Sequence, residues 1–121
     1  MCVTQVNALR ASIGEPPLTQ SKQIDDFSAE AAQIDGLAHQ EQKAFVETNG
    51  GNGLAMAENV IPWWKVSDWG SVENVVFHGI RQMWVEGPGS SHYANMTGRY
   101  THMGCGVAVI NGEVTVSQNF R

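Results

Sequence analysis

Basic residues are scarce in this 121-residue chain, which has seven Lys and Arg against twelve Asp and Glu. The formal net charge is −5 at pH 7, and the basic residues are scattered along the sequence. Nucleic acids and anionic membranes attract clustered Lys and Arg, so we expect neither as a partner. No apolar run approaches the roughly 20 residues of a transmembrane helix. No signal peptide is present, so we expect either a mature form or a chain whose leader has been replaced.

Cysteine is also rare, with only Cys2 and Cys105 in the whole chain. Two cysteines are too few for a disulfide framework, and these two lack the spacing of a metal-binding motif. They either pair with each other or remain free, and the sequence leaves both alternatives open. A disulfide closing so long a loop would contribute about 4–5 kcal/mol in the chain-entropy model.

The composition is that of a folded protein, with 42% hydrophobic and 16% charged residues. A chain of this length fits one domain over residues 1–121 and can bury a core without many disulfides. Internal repeats and low-complexity tracts are absent, so a repeat architecture is not expected.

Three segments show the apolar spacing of amphipathic helices. The first begins near Val3 and stops at Gly14, and the second follows Thr19 or Ser21 as its N-cap. The strongest follows an N-cap at Ser71 and ends before Gly87. Its apolar stripe consists of Val72, Val75, Val76, Gly79, Ile80, Met83 and Trp84.

The composition of the segments between the helices predicts turns and loops, and the pattern of the C-terminal part predicts a hairpin. Residues 47–53, "ETNGGNG", predict a flexible loop, and "IPWWKVSDWG" predicts a loop with three tryptophans. Residues 54–60 predict a short strand or turn, and residues 87–98 an irregular segment. Asn111-Gly112 between two alternating segments predicts a type I′ hairpin. Helices followed by a paired sheet predict an α+β fold, a three-layer α-β-α sandwich with a central, mainly antiparallel sheet.

Four titratable residues lie at the ends of predicted elements, where sites are usually built: His39, Glu58, Glu86 and His92. Two imidazoles can bind a divalent ion, and carboxylates can orient the rings or hold a water. A glutamate near a histidine can also perform general acid–base catalysis. The spacing alone favours four separate, solvated or singly hydrogen-bonded end residues, because nothing in it brings the groups together.

Several short segments occur in the order found in the CAP superfamily, which includes cysteine-rich secretory, antigen 5 and pathogenesis-related 1 proteins. They are "VNALRASIGEPPL", "AENV", "RQMWVEGPG", "HYANMT", "MGCGVAV" and "VSQNF". The chain resembles a small bacterial- or fungal-type member over about residues 3–120. The resemblance implies a single CAP (SCP) domain with an α-β-α fold. Two positions depart from the family pattern: Ala57 replaces a glycine before Glu58, and Ser91 replaces one before His92.

The resemblance also implies that the four residues share one cleft. His39 and His92 would bind a metal, zinc or another divalent cation, with Glu58 and Glu86 as the cleft carboxylates. Family members are implicated in sterol and fatty-acid binding, so a lipid or other small-molecule ligand is implied by analogy.

Three functions follow from this sequence. The first is a secreted binding module for a divalent ion and a small ligand, with Tyr93, Trp63 and Trp64 as a ligand surface. The second is a metal-dependent hydrolase in which Glu58, Glu86 and His92 act as catalytic groups. The third is a structural or signalling protein with a vestigial cleft.

Overall fold

Four strands build the central sheet of the computed structural model, which describes residues 1–121. They are β1 (Thr19–Gln20), β2 (Ala57–Lys65), β3 (His102–Ile110) and β4 (Glu113–Phe120). Their order is β1-β3-β4-β2, and only the short β1–β3 pair is parallel. The β3–β4 hairpin turns at Asn111 and Gly112, with φ of 52° and 74°. These positive angles confirm the predicted turn.

Seven helical segments accompany the sheet: α1 (Cys2–Ser12), α2 (Lys22–Ala38), α3 (Lys43–Glu47), α4 (Asn49–Gly53), α5 (Val66–Trp69), α6 (Val72–Val85) and α7 (Ser91–Thr97). Ser21 caps α2 by accepting a hydrogen bond from the Ile24 amide, and Ser71 caps α6 through the Asn74 amide. Each cap is worth about 1 kcal/mol. None of these helices is both long and apolar enough to span a membrane.

The helices cover both faces of the sheet, which confirms the predicted three-layer sandwich. On one face α2 lies directly against β3, because a Cβ on Gly106 would stand 2.0 Å from the Ala29 nitrogen. On the other face α1 packs on β3, α6 on β2 and β4, and α7 on β2, around the main apolar core. That core contains Val3, Val6, Val75, Val76, Ile80, Met96, Val114, Val116 and Phe120.

Cys2 and Cys105 form a disulfide, which decides between the two alternatives that the sequence left open. The bond joins the first residue of α1 to the middle of β3, with Cα atoms 6.3 Å apart. The two cysteines are 103 positions apart. In the chain-entropy model a loop of this length stabilises the fold by about 4–5 kcal/mol.

The prediction of a loop around the three tryptophans is wrong, because Trp63 and Trp64 belong to β2 and Trp69 to α5. The strand is irregular: its register with β4 shifts between Ile61 and Trp64, and Trp63 has a φ of 35°. Pro62 lies inside this strand, which is an outer strand of the sheet, where a missing amide hydrogen is tolerated. The predicted irregular segment after α6 likewise contains the short helix α7.

The glycine-rich segment predicted as a flexible loop adopts a defined turn. All five residues of α4 have positive φ, between 52° and 85°. Left-handed backbone is costly for residues with a Cβ, and this turn contains only Asn and Gly. At Gly50 a Cβ would stand 2.2 Å from the Ala55 carbonyl oxygen, so the turn is also closely packed.

Candidate functional site

A pocket of about 190 Å³ lies between the outer strand β2 and helix α6. Its apolar wall is formed by Val60, Ile61, Pro62, Trp64 and Met83, and its polar lining by Glu41, Gln82, Glu86 and His92. Gly79 allows α6 to lie close to β2, because a Cβ at this position would stand 2.4 Å from Ile61 Cδ1. The strand and helix are therefore in direct contact at the base of the pocket.

Glu86 and His92 form a hydrogen-bonded pair at this pocket. Glu86 follows the last turn of α6, and its Oε1 accepts from His92 Nδ1 at 2.9 Å and from the hydroxyl of Ser90. These hydrogen bonds hold the pKa of the Glu86 carboxyl below its ordinary value. The two side chains are 40% and 34% exposed, so a ligand can reach both. His92 Nε2 makes no hydrogen bond within the protein.

Helix α7 positions His92 through contacts at both its backbone and its ring. Ser90 caps α7 by accepting from the His92 amide at 3.2 Å, and the same hydroxyl donates to Glu86. Asn59 Nδ2 on β2 donates to the His92 carbonyl at 3.1 Å. Asn95 Nδ2 in turn donates to Asn59 Oδ1 at 2.9 Å. The imidazole is therefore fixed relative to β2 before any ligand binds.

His39 lies apart from this pair, at the C-cap of α2. Its Nε2 is 2.8 Å from Glu113 Oε1, and its ring stacks on Trp63 with centroids 4.4 Å apart. It does not line the pocket of Glu86 and His92. The left-handed conformation of His39, with a φ of 50°, turns the chain away from α2 at this point.

Glu58 is buried on the α2 side of the sheet and is only 4% exposed. Its Oε2 accepts from Ser117 Oγ at 2.7 Å, and its Oε1 has no partner. Burial raises the pKa of Glu58 from its ordinary 4.5 to about 7. Polar interactions with the Ser117 and Asn119 side chains lower this pKa and so offset part of the rise. The buried Asp35 carboxylate raises this pKa further. Glu58 is therefore a carboxyl group that holds its proton at mildly acidic pH.

The structure thus brings Glu86 and His92 into contact, and no hydrogen bond joins either of them to His39 or to the Glu58 side chain. No group of three or more His, Cys, Asp and Glu side chains that could hold a metal occurs in the chain. The assignment of His39 and His92 as metal ligands stays a prediction.

The three residues of the predicted ligand surface do not lie together in the structure. Trp64 lines the pocket and stacks on Trp69, with centroids 5.0 Å apart. Tyr93 packs on Trp84 at 4.8 Å, and both rings are half-buried. The helical spacing of Trp84 predicted a place in the core. In the structure Trp84 is partly buried and packs against the main apolar core.

Three residues at this site were not predicted from the sequence: Glu41, Gln82 and Asn59. Asn59 directly follows Glu58, and strand alternation would have placed it on the opposite face, toward His92. Gln82 lies on α6 one turn before Glu86, so helix periodicity could have found it. Glu41 lies in the connection after α2, where no sequence pattern marks it.

The fold and the pocket define a class of protein: a small α-β-α sandwich with a histidine and a glutamate paired on its surface. The chain belongs to the CAP family, the cysteine-rich secretory protein family, whose family model matches residues 3–120. No curated protein sequence matches the chain significantly.

Several solved structures share the fold. Na-ASP-1 superposes with a TM-score of 0.69 at 13% identity, over 98% of this chain and 37% of that one. Venom allergen-like protein 4 of Schistosoma mansoni gives a TM-score of 0.65 at 12% identity, over 98% of this chain and 84% of that one. An extracellular SCP-domain protein of Bacillus anthracis gives 0.56 at 17% identity, over 96% and 38%. The chain thus spans little more than a third of two of these relatives.

Proposed function

We propose that this chain is a secreted CAP domain that binds a small ligand in the pocket between β2 and α6. The observation that carries this proposal is the preorganised Glu86–His92 pair beside the apolar wall of the pocket. Binding sites of this kind combine apolar walls with a few fixed polar groups that set orientation. The ligand would place its apolar part against Val60, Trp64 and Met83, and its polar part at Glu86 and His92.

The chemistry of the pair limits what the polar part can be. When Glu86 accepts from Nδ1–H, the neutral imidazole leaves Nε2 as an acceptor for a hydroxyl or amine of the ligand. Glu41 and Glu86 add negative charge to the lining, and the pocket contains no Lys or Arg. The pocket volume of about 190 Å³ lies below the range of roughly 300–1,000 Å³ for drug-sized ligands. We therefore expect a small neutral or cationic molecule, or one end of a lipid.

A divalent cation is a second candidate, carried over from the resemblance. Zinc sites in proteins use three or four ligands, whereas Glu86 and His92 supply only two contiguous donors. The residues therefore do not fit a complete zinc site in this arrangement. Zinc titration tests the prediction directly: it requires that His39→Ala combined with His92→Ala lowers the affinity, and an unchanged affinity contradicts it.

The hydrogen bonds among Ser90, Glu86 and His92 do not support hydrolysis by a serine nucleophile. In a Ser-His-Asp triad the histidine stands between the serine and the acid and takes the serine proton. Here Glu86 stands between Ser90 and His92, so the Ser90 hydroxyl donates to the carboxylate. A water activated by His92 would be the remaining route. Ester or peptide turnover that disappears in Glu86→Gln and His92→Gln would favour this route over binding.

Three observations support secretion. The Cys2–Cys105 disulfide is typical of oxidising compartments. The family is described as secretory, and the Bacillus anthracis relative is described as extracellular. Expression in periplasm and cytosol, followed by titration of free thiols, tests whether the bond forms only outside the reducing compartment.

A fragment screen by NMR tests the binding proposal. We expect binders to shift the amide signals of Val60, Met83 and His92. The His92→Gln substitution should lower the affinity for these binders at least severalfold. His102→Gln is the matched control, because His102 is exposed at the start of β3 and outside the pocket. Binders that shift signals elsewhere, or that bind His92→Gln as tightly as the native chain, would contradict the proposal.

A further inference from the structure

A second and larger groove lies on the other side of the sheet, in the α2 layer. Its volume is about 440 Å³, within the roughly 300–1,000 Å³ of small-molecule sites. Helix α2 contributes Phe27, Ala31 and Ile34 to its apolar lining, and Ala44 and Leu54 contribute the facing wall. This groove shares no lining residue with the pocket of Glu86 and His92.

The facing wall is preformed by the left-handed turn α4. Gly51 lies against Phe27, because a Cβ at this position would stand 2.8 Å from Phe27 Cδ1. The Gly51 amide donates to Thr48 Oγ1 at 2.9 Å, and this hydroxyl also donates to the Ala44 carbonyl. The groove is therefore held open by backbone geometry and by hydrogen bonds internal to the wall, not by mobile side chains.

The charged side chains that line the groove are all acidic. Asp26 and Glu30 line it from α2, and no Lys or Arg is part of the lining. Lys22 lies one turn before Asp26 and forms an ion pair with it at 3.1 Å, but both groups are strongly exposed. Glu30 forms no ion pair. An anionic ligand would meet these carboxylates as well as a chain of net charge −5, so charge complementarity selects a cation.

We propose that this groove binds a single-chain amphiphile with a cationic head group, its apolar chain lying along Phe27, Ile34 and Leu54 and its head at Asp26 and Glu30. Ala31 and Ala44 are buried at the base of the groove, and their small side chains leave the volume that the chain occupies. The apolar area supplies most of the binding free energy, and the head group supplies the preference for positive charge.

Dodecyltrimethylammonium, kept below the concentration at which it forms micelles, is the probe that tests this site. Titration followed by NMR should shift the signals of Phe27, Ile34 and Leu54 and leave those of Val60 and Met83 in place. Dodecyl sulfate, with the same chain and opposite charge, should bind much more weakly, and neutral dodecanol should bind with intermediate affinity. Added salt should weaken only the cationic probe, because its head group is exposed.

Two variants and a control separate the charge from the fold. An exposed ion pair is worth about 0.2–1 kcal/mol, so Glu30→Gln should weaken binding of the cationic probe roughly 1.4- to fivefold, and Glu30→Lys more. Glu73→Gln on α6 is the matched control, since Glu73 is exposed and outside the groove, and should change nothing. Equal affinity for dodecyl sulfate, unchanged binding in Glu30→Lys, or the absence of shifts in the groove below micelle formation would overturn the proposal.

Discussion

Replacing Glu58 with glutamine should remove a pH-dependent loss of stability. Glu58 pairs with Asn119 across the β2–β4 ladder, and the two residues carry the only buried side-chain oxygens without a partner, Oε1 and Oδ1. A protonated Glu58 can donate to an acceptor of this kind, whereas an ionised one cannot. A glutamine amide supplies the same donor at every pH, in a side chain of nearly the same shape.

The sign and size of the effect follow from the pKa of Glu58. In the folded chain this pKa is raised to about 7 from an ordinary 4.5, mainly by burial. Between these two values the folded state keeps a proton that the unfolded state has lost, so stability falls as pH rises. Integrated over that window, the loss is on the order of 3 kcal/mol. Glu58→Gln should therefore match the native chain near pH 4 and exceed it by up to about 3 kcal/mol at pH 8.

Urea denaturation at intervals between pH 4 and pH 8 measures this difference directly. Glu30→Gln on the exposed face of α2 is the control for removing one carboxylate from an acidic chain. Subtracting the native curve from the variant curve also cancels the contributions of groups that do not interact with Glu58, whereas Asp35, whose pKa burial likewise raises, interacts with it and belongs to the measured effect. If the native and Glu58→Gln curves run parallel across the range, Glu58 is ionised in the folded state and the reasoning fails.

Three further changes have expected outcomes. Replacing both Cys2 and Cys105 with serine should cost about 4–5 kcal/mol of unfolding free energy; calorimetry should then show a lower Tm that no longer depends on reductant. Gly106→Ala should cost about 1–3 kcal/mol or more, because the added Cβ would meet the backbone of α2; Val107→Ala, at an exposed position of β3, should change urea midpoints much less. Asn59→Ala should cost about 1–3 kcal/mol by leaving buried partners unsatisfied. It should also broaden the His92 ring signals in NMR spectra, and unchanged ring signals would show that Asn59 does not position His92.

The sequence predicted those parts of the fold that depend on local chemistry. Ser21 and Ser71 cap their helices as the patterns required, and Asn111-Gly112 forms the expected hairpin. Apolar spacing in α6 identified the core side of that helix, and the segments shared with the CAP family indicated the layered architecture.

The parts that the sequence did not predict depend on contacts between distant segments. Trp63 and Trp64 follow a proline, which argues against a strand until β4 is present to pair with them. Helix α7 is too short to be stable alone, and Asn59 and Asn95 hold it against β2. Glu58 resembled a cleft carboxylate, yet its environment is set by Ser117 and Asn119, about sixty positions away along the chain, and no local pattern reveals such burial.

The disulfide between α1 and β3 also decides how this chain would respond to a mechanical pull. Tension applied at its two ends passes through the sulfur–sulfur bond and bypasses the 103-position loop that holds α2, α6 and the pocket between β2 and α6. Only the stretch after Cys105 can then be drawn out, a gain of about 50–60 Å at the extended length per residue, against roughly 350 Å more for the reduced chain. While that one bond stays oxidised, the segment between the two cysteines cannot be extended, and the pull acts on β4.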